Sequence, residues 1–530
     1  MGGDTILQEG ETCWRKGRAD ALAFLVDGAD YFSAVKAAIL GAKRSIWLLA
    51  WTFDALTRLQ PDKIERSGDP ETADRLGLLL RRVSALNPGI DIRILCWDMP
   101  PPIAAPGGFQ GQRAAAYFVG SKIKFKLDSS LPMSACHHQK VLVVDGKLAF
   151  VSGGDLSTDR WDTCDHGDHD PRRRLPNMHR YPARHDIAVM MEGPIARDCG
   201  QLFVDRWENC SGETLDVPEP DYSEESPWPK GVIPDLLGEQ VALVRTSPQW
   251  KHHPNIDEGL HLHLRAIAAA RTTIYIENQY LASPTIVEAL RRRLAEADGP
   301  EIVVIGPASS PSFFDRMTMD SARAAAIGRL EADDVNDNFR AYCARTRRDQ
   351  PIIVHSKVMI VDDFFLRIGS ANLNNRSGGL DTECDIAIEA APGEAGAETR
   401  ETIITFRNLL IGHYLDRSLP EVEAALERVG RIAGAVAYLD HEPPRLRPVD
   451  HRTLGPVERF VNAWSLGDPI SPQDAWRPWR RRKCLREQLK LIDRAEEALI
   501  PPPTESPAPP PAEGDPTPPA PSYRRAIPRR

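Results

Sequence analysis

The chain has 530 residues, 42% hydrophobic and 27% charged, with a formal net charge of −9. That length holds two or three domains, each large enough for its own core. The composition is that of a globular protein and excludes fibrous or low-complexity classes, and the acidic balance offers no electrostatic footprint for nucleic acid beyond a local basic patch. The nine cysteines are scattered without a close pair, which reads as free thiols in a reducing compartment. No stretch approaches the roughly 18 apolar residues of a spanning helix. The first residues carry neither a signal peptide nor a myristoylation pattern, so any membrane contact is expected to be peripheral.

In chain order, apolar spacing predicts a helix over Tyr31–Lys43, a strand over Ser45–Phe53, a helix over Asp74–Leu86 and a strand over Ile90–Trp97. Pro101–Gly111 reads as a loop. Strands are predicted at Lys140–Asp145, Leu148–Ser152 and His185–Glu192, with a helix at Ile195–Cys210. Between them, Asp159–Arg184 is polar and without period. Its run Cys164-Asp165-His166-Gly167-Asp168-His169-Asp170 mixes metal-ligand types, yet no partner cluster lies at a recognisable spacing, so it reads as a loop. After the acidic, Pro-rich Asp216–Lys230 come a helix (Ile256–Arg271), a strand (Thr272–Tyr280), a helix (Pro284–Ala297), a strand (Glu301–Ile305) and a helix within Asp315–Ala332. His252, His253, His261 and His263 read as surface or packing residues. A strand pair around Ile352–Val361, a strand at Cys384–Ala390 and a helix at Glu398–Tyr414 follow. Trp476–Lys483 is basic and aromatic, a composition that suits an anionic membrane surface. The plainer reading, a packed helix start with a solvated charge run, is preferred. A helix is predicted over Leu485–Leu499.

The alternation of helix and strand predicts an α/β fold, and one pattern occurs twice. His138-Gln139-Lys140 leads to Asp145, with Ser152-Gly153-Gly154-Asp155 beyond; His355-Ser356-Lys357 leads to Asp362, with Gly369-Ser370-Ala371-Asn372 at the same offset. Asp186-Ile187-Ala188-Val189 likewise mirrors Asp385-Ile386-Ala387-Ile388. The chain reads as two copies of one unit, offset by roughly 220 residues. If the copies face each other, two imidazoles and two ammonium groups converge on one cleft, an arrangement suited to a phosphodiester. One His attacks phosphorus and the other protonates the leaving oxygen. Lys140, Lys357, Asn372 and Ser370 would hold the non-bridging oxygens. Two protein cations reduce the need for a metal, so no metal and no cofactor are expected.

The two His-x-Lys-x4-Asp motifs resemble those of the phospholipase D superfamily, over roughly residues 20–430. Ile274-Tyr275-Ile276-Glu277-Asn278-Gln279, Arg160-Trp161-Asp162-Thr163, His185-Asp186-Ile187 and Ala196-Arg197-Asp198 with Arg206-Trp207 resemble the eukaryotic-type phospholipases D in particular. The resemblance implies two pseudo-symmetric repeats, each a mostly parallel or mixed sheet flanked by helices, with the active site at their interface. It implies His138 as nucleophile and His355 as acid/base. It also places an orienting acid downstream of each His: Glu383 for His355 and, because Arg184 occupies the equivalent position in the first copy, Asp186 for His138. Asp155 stands where the family has Asn and is expected to serve the scaffold or a lysine, while Asp145 and Asp362 are expected to pin loops.

The expected organisation is a first repeat at 1–215, a linker at 216–240, a second repeat at 241–435, a helical extension at 436–500 and a disordered Pro-rich tail at 501–530. The expected activity is hydrolysis of phospholipids to phosphatidic acid, with transfer to alcohols, through a phosphohistidine. The alternatives are a nucleic-acid phosphodiesterase, a cardiolipin-synthase-type phosphatidyl transferase and a silent lipid-binding protein. The partner is expected to be a phospholipid surface, without nucleic acid, for a monomer that is cytoplasmic, peripheral to a membrane, or exported without a signal peptide.

Overall fold

The computed structural model describes residues 5–61, 74–221, 223, 225–310, 312, 315–449 and 454–499. The Pro-rich tail anticipated over 501–530 lies outside them. The fold is α/β, with one mixed sheet of 16 strands running through both halves of the chain. From one edge to the other the strands are Leu446–Pro448, Phe339–Ala344, Glu301–Gly306, Thr273–Asn278, Lys357–Val361, Phe365–Gly369, Glu383–Glu389, Leu236–Ser247, Arg15–Val26, Ile187–Glu192, Leu148–Ser152, Val141–Val144, Ser45–Ala50, Asp91–Trp97 and Lys124–Asp128. A short strand, Ile256–Asp257, pairs with Leu236–Ser247 off this path.

Read outward from the centre, the two halves have the same strand order up to the edge strand Leu446–Pro448, which has no counterpart in the first half. Arg15–Val26 and Leu236–Ser247 are the first strands of the two repeats, and they pair antiparallel at the middle, Arg15 opposite Leu243 and Leu22 opposite Leu236. This central pair generates the pseudo-twofold relation. In each half three strands are parallel to one another, Ser45–Ala50, Asp91–Trp97 and Lys124–Asp128 in the first and Thr273–Asn278, Glu301–Gly306 and Phe339–Ala344 in the second. The inner ones are antiparallel, and Leu446–Pro448 adds an antiparallel edge strand to the second half.

Three hydrophobic clusters cover the sheet. Helices Pro194–Ser211 and Ala397–Leu415 lie on one face above a core shared by both repeats, which includes Phe203, Trp207, Tyr275, Ile411 and Tyr414. On the other face, Asp27–Gly41 and Leu76–Leu86 cover the first half. Glu258–Ala269, Pro284–Leu294 and Ser321–Asp333 cover the second. Burial on both faces explains why Ser45–Ala50 and Val141–Val144 are continuous apolar runs. Helix Pro194–Ser211 has Pro at its start and ends on Gly212 at φ 70°, where a left-handed residue terminates the hydrogen-bond ladder.

The structure differs from the sequence reading at several elements, and Pro101–Gly111, read as a loop, holds the short helix Pro101–Ala104. Arg15–Val26 is a 12-residue strand at the heart of the sheet, ahead of the first element anticipated at Tyr31. Strand Leu236–Ser247 begins within the segment taken as a linker. His355 and Ser356 form a break between Ile353–Val354 and Lys357–Val361 and are not part of a continuous strand. No helix among the described residues is long and apolar enough to cross a membrane. All nine cysteines are free.

Candidate active site

Each His-x-Lys segment lies just before a buried strand of its own repeat and docks, by backbone hydrogen bonds, on the other repeat. His138 N–H donates to the Thr382 carbonyl at 2.9 Å, and Thr382 N–H to the Cys136 carbonyl at 3.0 Å. Correspondingly, Ile353 N–H donates to Ala183 O at 2.9 Å and His355 N–H to His185 O at 2.8 Å, in a two-stranded parallel pairing of 353–354 with 184–185. This cross-docking decides which acid meets which histidine. His138 Nδ1 lies 2.8 Å from Glu383 Oε2, and His355 Nδ1 lies 2.8 Å from Asp186 Oδ2. The acids are therefore exchanged relative to the sequence expectation, which paired each His with the acid of its own copy.

With Nδ1 donating to a carboxylate, each imidazole keeps Nε2 as its free nitrogen. Both rings are largely buried. Burial, reinforced by Lys140 and Lys357 at His138, and by Lys357 and Arg160 at His355, holds both well below the ordinary histidine range. Both are thus neutral near pH 7. Burial pushes the Glu383 carboxyl up to about 7 against the pull of Lys140, and that of Asp186 up to about 6 against Lys357 and Arg184. Lys357, fully buried, falls to about 7, mainly through desolvation. Its Nζ lies 3.0 Å from His355 Nδ1 and donates to the His355 carbonyl. Lys140 makes the matching contact to the His138 carbonyl, with Asp155 Oδ2 at 3.5 Å.

Asp155 also accepts from the amides of Trp51 and Thr52 at 2.8 and 3.1 Å, so its charge is occupied by backbone and lysine. Asp145 accepts from the amides of Lys43, Arg44 and Ser45. Asp362 does the same for Arg271, Thr272 and Thr273. These motif acids pin the turn before a neighbouring strand. Ser370 departs from its expected place on phosphate: it is fully buried and its hydroxyl donates to Glu383 Oε2 at 2.5 Å. Ser377, which the sequence reading passed over, donates to the other oxygen at 2.6 Å. Asn372 is buried, and its Oδ1 has no hydrogen-bond partner among the described residues.

The first repeat lacks such a serine for a steric reason. Gly153 stands at the Ser370 position, and a Cβ there would meet Asp186 Oδ1 at 2.4 Å, while one at Gly154 would meet Oδ2 at 2.3 Å. Glycine lets Asp186 approach from two residues further along than Glu383 does in its own copy. The acid at the Asp186-equivalent position of the second repeat, Asp385, is taken by Arg367 at 2.7 Å.

A family model described as "Cardiolipin synthase, PLD-like domain" matches residues 263–403, spanning the second motif. Phospholipase D A of Dictyostelium discoideum is 26% identical over 66% of this chain and 31% of its own length. Phospholipase D alpha 2 of rice is 25% identical over 75% of this chain and 65% of its own. These matches support a place in the phospholipase D superfamily. Phosphatidylserine synthase of Haemophilus influenzae superposes with a TM-score of 0.50 at 14% identity, covering 80% of this chain and 96% of that one, and so shares the fold. The alignments span about a third of the Dictyostelium protein and two thirds of the rice enzyme.

Two of the other runs noted in the sequence, those of Arg206 and of Glu277, pack beside the motif segments. Arg206 donates to Asp128 Oδ2 at 2.9 Å, Asp128 pairs with His137 Nε2 at 2.9 Å, and His137 Nδ1 meets Thr382 Oγ1 at 3.2 Å. This chain braces the residue before His138. On the other side Glu277 accepts from Ser356 Oγ at 2.6 Å and Tyr275 Oη at 2.7 Å, and meets His185 Nε2 at 3.0 Å. A separate cluster, Asp27, His166, His185 and His413, has the donor types to hold a metal.

Proposed function

We propose that the protein cleaves the distal phosphodiester of glycerophospholipids, releasing the headgroup and leaving phosphatidic acid, or transfers the phosphatidyl group to an alcohol. The observation that carries this reading is the exchanged pair of carboxylate-held imidazoles, each with a lysine ammonium beside it. His138 Nε2 attacks phosphorus and a P–N bond forms as the bond from phosphorus to the headgroup oxygen breaks. His355 gives its proton to that oxygen. Water or an alcohol then loses a proton to His355 and attacks phosphorus, the P–N bond breaks, and His138 returns to its neutral form. Glu383 stabilises the charge that develops on the His138 ring, and Lys140, Lys357 and Asn372 face the non-bridging oxygens. The acid step needs a proton on His355. An anionic phosphodiester between the two lysines offsets the field that keeps that ring neutral.

The lipid substrate is supported by the likeness to phospholipases D and by the C-terminal extension. Trp476 and Trp479 are 67% and 65% exposed, with Phe460 and Val457 also projecting. The extension contacts the site loop directly, since Asp468 accepts from the amides of Asn375 and Arg376 at 3.0 and 2.9 Å. A lipid surface engaged by these aromatics would meet the protein close to the motif of the second repeat.

The test is a mass-spectrometric assay of liposomes carrying choline, ethanolamine and glycerol headgroups in the presence of ethanol. Phosphatidic acid and phosphatidylethanol are expected from the wild type, with both falling by at least about 10⁴-fold in His138→Ala. Cleavage of an oligonucleotide with no lipid product would overturn the reading.

A further inference from the structure

We propose that Asp27, His166, His185 and His413 bind a divalent transition-metal ion, zinc by its ligand set, which ties the two repeats together behind the Asp186–His355 pair. One ligand atom from each of the four lies within 4.8 Å of all the others. His413 Nε2 is 3.3 Å from Asp27 Oδ2, His166 Nε2 is 3.7 Å from the same oxygen, and the two Nε2 atoms are 2.9 Å apart. A tetrahedral ion with bonds of about 2.0–2.1 Å needs ligand atoms roughly 3.4 Å from one another. These separations bracket that value.

Two features point to a ligand rather than to a self-sufficient polar network. Asp27 Oδ2 is fully buried, yet it has no hydrogen-bond partner among the described residues. A proton on His413 Nε2 would satisfy His166 and still leave that oxygen unmatched. Moreover, two of the histidines are already oriented as metal ligands are. His166 Nδ1 lies 2.9 Å from Asp162 Oδ2, and Asp162 is clamped by both its oxygens to Arg173. His185 Nε2 lies 3.0 Å from Glu277. The Asp162 carboxylate takes the proton-bearing nitrogen of His166 and leaves Nε2 as a lone pair facing Asp27, while at His185 Nδ1, 2.9 Å from Asp27 Oδ1, the metal would take the place of a proton. Asp27 itself sits at φ 68°, a left-handed conformation unusual for a residue with a side chain, held where the strand Arg15–Val26 turns into a helix.

The four ligands come from separate segments: a strand–helix junction, the polar loop after Asp159, the strand residue next to Asp186, and the last turn of helix Ala397–Leu415. Three belong to the first repeat and His413 to the second. Four protein ligands in a closed, buried setting describe a structural site, distinct from the phosphodiester chemistry. The His185 carbonyl also receives the His355 amide, so an ion here would fix the segment that carries Asp186. The inference does not depend on the substrate.

The experiment is metal analysis by plasma mass spectrometry of the full chain purified without chelator, alongside His413→Ala and His166→Ala. The cobalt-loaded protein is examined by visible absorption. About one zinc, or another first-row divalent ion, per chain is expected in the wild type. It should be lost from both variants, and the cobalt form should show the intense visible bands of four-coordinate geometry. A folded wild type holding less than about a tenth of an ion per chain, and gaining no thermal stability when zinc is added, would overturn the proposal. The cluster would then be a proton-sharing network with His185 as an imidazolium between Asp27 and Glu277. Retention of the ion by both variants would also overturn it. Should the variants fail to fold, the wild-type metal content and cobalt spectrum still decide.

Discussion

His138 and His355 differ from ordinary buried histidines in that each is held at Nδ1 by an acid from the other repeat. Glu383→Gln removes the acceptor charge while keeping the volume. The expected result is a fall in kcat of about 10²–10⁴-fold with little change in KM, because the acid acts on the ring charge in the transition state and not on substrate binding. Asp186→Asn should do the same through His355. An unchanged kcat in both variants would remove the acids from the account. The pH profile follows from the same groups. Below about 6 to 7, Asp186 and Glu383 take up protons and stop accepting the Nδ1–H bond, so kcat/KM falls on the acid side. Above about 7, Lys357 loses its charge, so it falls on the alkaline side. The profile should be a narrow bell near pH 7, and Lys357→Arg, which stays charged, should remove the alkaline limb. A broad plateau from pH 5 to 9 would contradict this. The histidines, lysines and motif acids were legible in the sequence because their spacing repeats. The pairing of acid with histidine was not, since spacing within a copy cannot reveal that residues 136–138 dock on 381–382 and 353–355 on 183–185.

Among the elements, those with strong apolar runs were legible and those defined by partners were not. Leu148–Ser152 was read with its observed bounds. Arg15–Val26 escaped because its first four residues, Arg-Lys-Gly-Arg, are polar and none is buried; it is a strand because Leu236–Ser247 and Ile187–Glu192 flank it. Lys124–Asp128 escaped for a related reason, as an edge strand with charged residues and only partial burial. The polar loop after Asp159 is read as a loop without period, yet it contributes Asp162, His166 and Arg173 to the interior, where Asp162 pairs with both of the others. Composition cannot distinguish a polar loop from a polar core. The C-terminal extension departs from its sequence reading as well. The helix Arg481–Glu497 does pack on Glu258–Ala269 and Pro284–Leu294, but Trp476 and Trp479 just before it stay in solvent. The double variant Trp476→Ala/Trp479→Ala should weaken sedimentation with anionic liposomes by about tenfold or more, while hydrolysis of a short-chain soluble phospholipid is retained. Equal sedimentation of variant and wild type would rule these aromatics out as the membrane contact.

At the scale of the molecule, the central pairing of Arg15–Val26 with Leu236–Ser247 makes two repeats into one sheet, and the exchanged acids make two half-sites into one site. Neither repeat holds both a motif histidine and the carboxylate on its Nδ1. The two-repeat α/β architecture followed from the internal duplication, whereas the continuous sheet and its central seam depended on a strand that the apolar pattern did not reveal. The pairing also breaks the symmetry chemically. His138 is supported by a glutamate that Ser370 and Ser377 hold on both oxygens, while His355 is supported by Asp186 across two glycines. The better-braced ring is the one assigned to carry phosphorus.

That assignment is tested most directly by trapping the intermediate. His355→Asn lacks the base for the second half-reaction, so a fluorogenic phosphatidyl ester with a good leaving group should load it and stall. Peptide mapping by mass spectrometry under alkaline conditions is expected to find the phosphatidyl mass on the peptide containing His138, with one leaving group released per chain in a burst. An adduct on the His355 peptide of a His138→Asn protein, with none on the His138 peptide of the His355→Asn protein, would contradict the account.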